Sequence, residues 1–170
     1  MRPAARVGVV IDTMVFGSMF VEQPNPMAER YRTLIGHSPV MLSFQTVTEL
    51  RFGALRANWG ELRRRRLERR ISELTVVQPD DETMTVCARL RVDCQRIGHA
   101  LADKIHNGDR WIAAAAIRLN VPLVSDDGIF NDVPGLRLLT ARDVRGGPLA
   151  RRRPRVYSGA FRTLVPIVCG

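Results

Sequence analysis

The sequence has few cysteines, histidines and aromatic residues, and it has no long apolar segment. Its 170 residues include three cysteines, three histidines, two tryptophans and two tyrosines. An odd, unpatterned set of cysteines is not a disulfide framework, which favours a reducing compartment. Cys87 and Cys94 lie seven residues apart on one helical face and are interpreted as buried thiols. Because no stretch approaches the length of a membrane span, we expect a cytoplasmic protein without membrane association.

These shortages also argue against several kinds of functional site. The histidines and cysteines do not have the spacing of zinc ligands. The chain contains neither a glycine-rich phosphate loop nor a Gly-x-Ser-x-Gly motif. Its few aromatic residues make a sheet for stacking RNA bases improbable. The chemistry must therefore come from other residue types.

Arginine is the residue type that the chain has in excess. The sequence carries 26 Lys and Arg against 17 Asp and Glu, a formal net charge of +9 that suits a polyanionic partner. The segment 145–170 contains six arginines and no acid. We predict one folded domain over 1–144 and a basic, largely irregular extension over 145–170. A second basic run, 62–74, is either a solvated helix face or a contact surface for RNA or a partner protein.

Short apolar runs alternate with longer helical patterns along the chain. The apolar runs predict strands at about 7–11, 39–44, 74–77, 121–125 and 136–140. Helices are predicted near 26–36, 46–58, 60–73, 80–98 and 109–120. This alternation is typical of a mostly parallel sheet covered by helices on both faces. We therefore predict a three-layer α/β/α fold with a five-stranded sheet.

Four acidic residues fall where this fold would bring them together. Asp12 follows the first strand and Asp127 follows the fourth, whereas Glu49 and Asp109 lie early in predicted helices. In a parallel α/β sheet, strand carboxyl ends and helix amino ends share one edge, and ligands tend to bind there. Converging carboxylates repel one another, so such a cluster usually persists because a hard divalent cation neutralises it.

Each of these acids also has a local structural explanation. Asp12 and Asp109 suit helix N-caps. Thr46 with Glu49 suits a capping box, and Asp127 suits the start of a turn. Capping alone does not require four acids at one edge of a sheet. We therefore favour the cation site and keep capping as the alternative.

The order and spacing of the motifs resemble a known family. The segments VVIDTMVF, TVTELRFGAL and NGDRWIAAAAIRLNVPLVSDDGIFNDVPGLRLLT resemble successive motifs of PIN-domain proteins, especially the VapC-type toxins of bacterial toxin–antitoxin pairs. The resemblance covers about residues 7–140. It does not extend to the basic segment at the carboxyl end.

The resemblance implies a PIN-like nuclease domain with endoribonuclease (hydrolase) activity, which uses a metal-activated water to cut RNA phosphodiesters. Asp12, Glu49, Asp109 and Asp127 match the residues that bind Mg²⁺ or Mn²⁺ in the family. Asp126 stays open as an alternative to Asp127. The implied partners are an RNA substrate, a cognate antitoxin and a second copy in a homodimer. The alternatives are a non-catalytic module that binds RNA or protein, and a PIN-like nuclease that acts on DNA.

Several neighbours of the acids are candidates for supporting roles. Thr13 and Ser125 either hydrogen-bond a ligand carboxylate or water, or cap local turns. Arg51 and Arg110 are close in sequence to proposed ligands and are candidate contacts for the RNA backbone, although solvent exposure explains both equally well. Asp103 is interpreted as a loop residue or a residue behind the ligands.

Overall fold

The computed structural model describes residues 8–20 and 25–143. In these ranges five strands form one sheet with the order β3-β2-β1-β4-β5, and all pairings are parallel. The strands are β1 (Val9–Ile11), β2 (Val40–Ser43), β3 (Thr75–Val77), β4 (Leu123–Val124) and β5 (Leu138–Leu139). The predicted parallel α/β architecture is confirmed. The predicted extension, 145–170, lies outside the described residues, and the boundary at residue 144 stays a prediction.

Six α-helices connect the strands in the described ranges. They are α1 (Thr13–Met19), α2 (Pro26–Ile35), α3 (Phe44–Arg56), α4 (Glu61–Ser72), α5 (Asp81–Arg96) and α6 (Asn107–Arg118). Five of them match predicted helices, but α1 was not predicted. Its seven residues contain Gly17 and are too few to show a helical period of apolar residues. None of these helices has the length and apolar character needed to cross a bilayer.

Alternate residues of β1 point into two separate apolar cores. Val9 and Ile11 pack with residues of α1, α2 and α3 on one face of the sheet. Val10 packs with residues of α5 and α6 on the other face. Because successive side chains of a strand point to opposite faces, one short strand serves both cores. The helices therefore cover both faces, which confirms the three-layer arrangement.

The helices α4 and α5 test two further predictions. Cys87 and Cys94 are buried on α5 and form no disulfide among the described residues, as predicted. On α4, Ile71 is buried, while arginines on the exposed side form ion pairs such as Arg65–Glu61 and Arg70–Glu73. A solvated helix face therefore accounts for part of the basic run at 62–74.

The loop before α6 is held by a buried arginine. Arg110 is only 3% exposed. Its guanidinium donates to the carbonyl oxygens of Leu101 (2.6 Å) and Asp103 (3.2 Å) and to Asn107 Oδ1 (2.8 Å). The interpretation of Arg110 as an RNA contact is therefore wrong, because its donors are used inside the protein. It instead fixes the segment that leads into the first turn of α6.

Replacing this guanidinium tests its structural role. Arg110→Met keeps an aliphatic side chain but leaves buried carbonyl oxygens without a donor, so we expect a loss of about 2 kcal/mol in the free energy of unfolding. Arg89→Met, at an exposed position on α5, is the control and should change stability by less than about 0.5 kcal/mol. Denaturant titration measures both. Equal, small effects would contradict the role given to Arg110.

Candidate active site

The first acid, Asp12, is buried at the carboxyl end of the central strand. Its side chain is 4% exposed and caps α1, since Oδ1 accepts a 2.7 Å hydrogen bond from the Val15 N–H. The backbone N–H of Asp12 donates to the carbonyl of Val124, which fixes the residue against β4. The alternative explanation of Asp12 as a helix cap is therefore confirmed. Capping uses only one of its two carboxylate oxygens.

The second oxygen of Asp12 connects it to the loop after β4. Ser125 Oγ donates a short hydrogen bond to Asp12 Oδ2. The same hydroxyl accepts a 3.0 Å hydrogen bond from the backbone N–H of Asp127. Ser125 is fully buried, so this link is shielded from water. It brings Asp12 and Asp127, which are far apart in sequence, to one place.

Negative charge accumulates around Asp12. Burial raises the pKa of the Asp12 carboxyl above its usual value, and the nearby charges of Asp127 and Asp126 raise it further. Hydrogen bonds from Ser125 and Val15 oppose these effects and favour the ionised form. Without a cation, the charged form of Asp12 is therefore disfavoured in the folded chain.

Glu49 lies between α1 and α6. Its Oε2 accepts a short hydrogen bond from Thr13 Oγ1, and its Oε1 accepts a 3.1 Å hydrogen bond from Gln45 Nε2. A Cβ at Gly108, in the first turn of α6, would lie 3.0 Å from Glu49 Oε1. Thr13 follows Asp12 in the chain and Gly108 precedes Asp109. Glu49 therefore adjoins the segments that carry two of the other acids.

Asp109 lies in the first turn of α6 and is about one-third exposed. The carboxylate of Asp109 contacts the imidazole of His106, with 3.0 Å between Asp109 Oδ2 and His106 Nδ1. The helix begins at Asn107, so Asp109 is not the N-cap that the sequence suggested. Its position near the helix amino end still suits a negative charge.

The two adjacent acids after β4 have different surroundings. Asp126 uses both carboxylate oxygens, which accept from Tyr31 Oη (2.7 Å) and from the Ala141 N–H (2.9 Å). Asp127 is exposed, and its Oδ1 accepts from the Ile129 N–H, capping a short 3₁₀ helix. The prediction that Asp127 begins a turn is confirmed. A ligand reaches Asp127 more easily than Asp126, whose oxygens are already paired.

The structure brings Asp12 and Asp127 together but does not gather all four acids into a complete metal-binding group. Within residues 8–20 and 25–143, no three Asp, Glu, His or Cys side chains are close enough together to hold a metal ion. The donors are oxygens, which hard divalent cations prefer, and the raised pKa of Asp12 indicates charge that a cation would neutralise. The residues therefore fit such a cation in chemistry and charge, and binding requires the carboxylates to draw closer.

The structure tests two further interpretations of neighbouring residues, and the capping box is wrong. Thr46 and Glu49 do not form a capping box, because α3 begins earlier and Ser43 is its N-cap. The guanidinium of Arg51 is half-exposed and makes two hydrogen bonds to Glu68 of α4, at 2.9 and 2.7 Å. The alternative explanation by solvent exposure therefore holds for Arg51, and its contact with RNA stays a prediction. Sequence proximity to Glu49 did not reveal this partner on the next helix.

Two contacts of the site were not found from the sequence. Gln45 precedes Glu49 by four residues on one helix, a spacing at which side chains meet, so this contact had a detectable signal. Tyr31 is 95 residues from Asp126, and no local pattern connects them. The roles considered for Thr13 and Ser125 included a hydrogen bond to one of the candidate carboxylates, and both make one, to Glu49 and Asp12.

Comparison with known proteins identifies the family. The family model described as the PIN domain matches residues 9–136, and the chain belongs to this family. A relative named Ribonuclease VapC5, from Mycobacterium tuberculosis, is 29% identical over 92 residues. That match covers 53% of this chain and 65% of the relative, so it spans slightly less than two-thirds of the relative's length.

Several solved structures share this fold, and one of them, VapBC-5, is a member of the VapBC family of toxin–antitoxin systems. FitAcB from Neisseria gonorrhoeae has a TM-score of 0.66 at 24% identity, over 80% of this chain and 99% of that chain. VapBC2 from Rickettsia felis, solved with a DNA fragment from its promoter, has a TM-score of 0.65 at 21% identity, over 78% and 97%. VapBC-5 from Mycobacterium tuberculosis has a TM-score of 0.58 at 26% identity, over 79% and 98%. At 21 and 24% identity, the likeness shows the fold alone.

The charge at Asp12 predicts how stability changes with pH. Because folding raises the pKa of Asp12, the contribution of this group to stability is fully present below the ordinary value of 3.8 and is lost as the pH rises from there through the higher pKa of the folded chain. Asp12→Asn retains an oxygen for the Val15 N–H and removes the charge. It should therefore stabilise the metal-free protein at neutral pH, with a smaller or reversed effect below pH 3.8.

Denaturant titrations in excess chelator, from about pH 3.5 to 7.5, measure this effect. Asp132→Asn, at an exposed position with a φ of 55° that asparagine tolerates, is the control for removing a negative charge. If the gain in the free energy of unfolding from Asp12→Asn does not grow with pH, or if Asp132→Asn gives the same gain, the charge of Asp12 does not destabilise the fold as proposed.

Proposed function

We propose that this chain is a Mg²⁺- or Mn²⁺-dependent endoribonuclease of the VapC type and the toxin of a toxin–antitoxin pair. The observation that carries the proposal is the Ser125 link, which brings the buried Asp12 and the exposed Asp127 together at the strand ends. Membership of the PIN family and the relative named as a ribonuclease support this chemistry.

The four acids would hold the cation, and their hydrogen-bond partners would orient them. Ser125 and Val15 fix the Asp12 carboxylate from two sides. Thr13 and Gln45 do the same for Glu49. Asp127 and Asp109 each keep an oxygen that accepts no hydrogen bond from the described part of the chain. Two carboxylates are thus held firmly, and two are free to approach a ligand.

A bound divalent cation would supply an activated water for attack on a phosphodiester and would offset charge at the leaving oxygen. The chain's own contribution is to hold Asp12 and Asp127 near each other and to orient the carboxylates of Asp12 and Glu49 before substrate arrives. Neutralisation also removes the repulsion that raises the pKa of Asp12. Cation binding and stability of the site are therefore linked.

Exposed apolar side chains lie on α3 and α4. Phe52, Leu55 and Leu62 are exposed by 62%, 62% and 67%. They accompany a cleft of about 480 Å³ between the two helices, whose lining includes Leu67 and Arg64. Exposed apolar side chains around a cleft suit a protein partner, and an antitoxin fits the proposal. The homodimer and the cytoplasmic location stay predictions.

Metal and substrate dependence test the proposal directly. Chelator-treated protein should not cut a pooled RNA substrate, and adding Mg²⁺ or Mn²⁺ should restore cleavage. Asp109→Asn and Asp127→Asn should each reduce kcat/KM by about a hundredfold or more, because each removes an anionic oxygen ligand. Asp132→Asn, at an exposed acid close in sequence to Asp127, is the matched control and should retain the wild-type rate.

Three results would favour the alternatives. RNA cleavage in excess chelator would contradict metal dependence. Metal binding and RNA binding without cleavage, by protein at full concentration, would favour a non-catalytic module. Faster cleavage of single-stranded DNA than of RNA of the same sequence would favour a deoxyribonuclease.

A further inference from the structure

The carboxylate of Asp126 forms a bridge between two distant segments of the chain. Its Oδ2 accepts from Tyr31 Oη of α2 at 2.7 Å, and its Oδ1 accepts from the backbone N–H of Ala141 at 2.9 Å. Tyr31 is 3% exposed and Ala141 is 3% exposed, so both partners are fixed by packing. Asp126 therefore connects the loop after β4 to α2 and to the segment after β5.

The hydroxyl of Tyr31 acts as a donor in this bridge. Burial and the charges of Asp126 and Asp12 raise the pKa of Tyr31 above its usual value, so the hydroxyl keeps its proton at neutral pH. A carboxylate without such donors, partly buried beside Asp12, would be less stable in its charged form. The two hydrogen bonds hold Asp126 in one orientation.

This bridge restrains the residue on each side of Asp126. On one side, the Ser125 N–H donates to the Leu139 carbonyl at 3.1 Å, and its hydroxyl donates to Asp12. On the other side, the Asp127 N–H donates to Ser125 Oγ at 3.0 Å. Ser125 and Asp126 therefore connect this turn by hydrogen bonds to β5, to Asp12 at the end of β1 and to α2. The exposed carboxylate of Asp127 projects from a turn that has little freedom to move.

We propose that Tyr31, acting through Asp126, is a positioning residue that sets the place of Asp127 for the divalent cation, and that Asp126 is not itself a ligand. This inference rests on the proposed function, because it concerns residues that position a ligand of the same cation site. Partners that orient metal ligands typically change metal affinity by 10- to 100-fold when they are removed. Tyr31 lies on α2, a helix that contributes none of the four proposed ligands.

The affinity for Mn²⁺ measures this role without relying on catalysis. Tyr31→Phe keeps the aromatic ring in the core and removes only the donor to Asp126. Asp126→Asn leaves α2 intact and replaces one of the two accepting oxygens with an amide donor. We expect each variant to weaken the Kd for Mn²⁺ by about tenfold, measured by calorimetry on the full chain after chelator treatment.

Two further variants separate positioning from general damage. The double variant Tyr31→Phe with Asp126→Asn should be no weaker than the more affected single variant, because residues that act through one contact are not additive. Thr33→Ala removes an exposed hydroxyl from α2, bonded within its own helix, and should leave the Kd unchanged. Cleavage of RNA by the Tyr31→Phe variant at saturating Mn²⁺ should recover most of the wild-type kcat.

The possible outcomes distinguish this inference from the proposed function. A wild-type chain that does not bind Mn²⁺ contradicts the proposed metal site and this inference with it. Wild-type binding with an unchanged Kd in the folded Tyr31→Phe variant contradicts the positioning role alone. Loss of binding in Asp126→Asn as severe as in Asp127→Asn, with no effect of Tyr31→Phe, would show that Asp126 is a ligand.

Discussion

The hydrogen bond between Ser125 and Asp12 is the interaction on which the candidate site depends. It joins the carboxyl ends of β1 and β4, which are neighbours in the sheet, and it excludes water because both residues are buried. A buried carboxylate needs hydrogen-bond donors to remain charged, and Asp12 receives one from Ser125 and one from α1. The same contact positions the backbone of Asp127.

The negative charge around Asp12 lowers the stability of the fold, whereas the proposed activity requires this charge. Burial raises the pKa of Asp12, and the charges of Asp127 and Asp126 raise it further, so the ionised form of Asp12 weakens the metal-free fold. The surrounding hydroxyl, amide and backbone donors reduce this cost without removing the charge. A cation would remove the remaining repulsion, and activity and stability would then increase together.

The sequence was sufficient to predict the sheet, because its strands are short apolar runs bounded by turn residues. Parallel pairing followed from the helices between the strands, and it placed Asp12 and Asp127 at one edge of the sheet. That their strands are neighbours is a finding of the structure. The helix α1 was missed because seven residues do not show a period. The helix start at Phe44 was also missed, and this error produced the incorrect capping box at Thr46.

Contacts between distant segments could not be predicted from the sequence. Arg51 and Arg110 were considered as RNA contacts because they are close in sequence to acids, but their partners are Glu68 and the carbonyls of the loop before α6. Whether an arginine faces solvent depends on packing that a single sequence does not encode locally. The contact of Tyr31 was overlooked for the same reason, because its partner, Asp126, is distant in sequence.

The most direct test of the account is a crystal structure with manganese, in which anomalous scattering locates the ion. We predict a Mn²⁺ ion bound by oxygens of Asp12 and Asp127, with Glu49 or Asp109 completing the protein ligands and Ser125 still bonded to Asp12. The four acids would then lie close enough together to share one ion. An ion held elsewhere, or no ion at this edge of the sheet at millimolar manganese, would contradict the central claim.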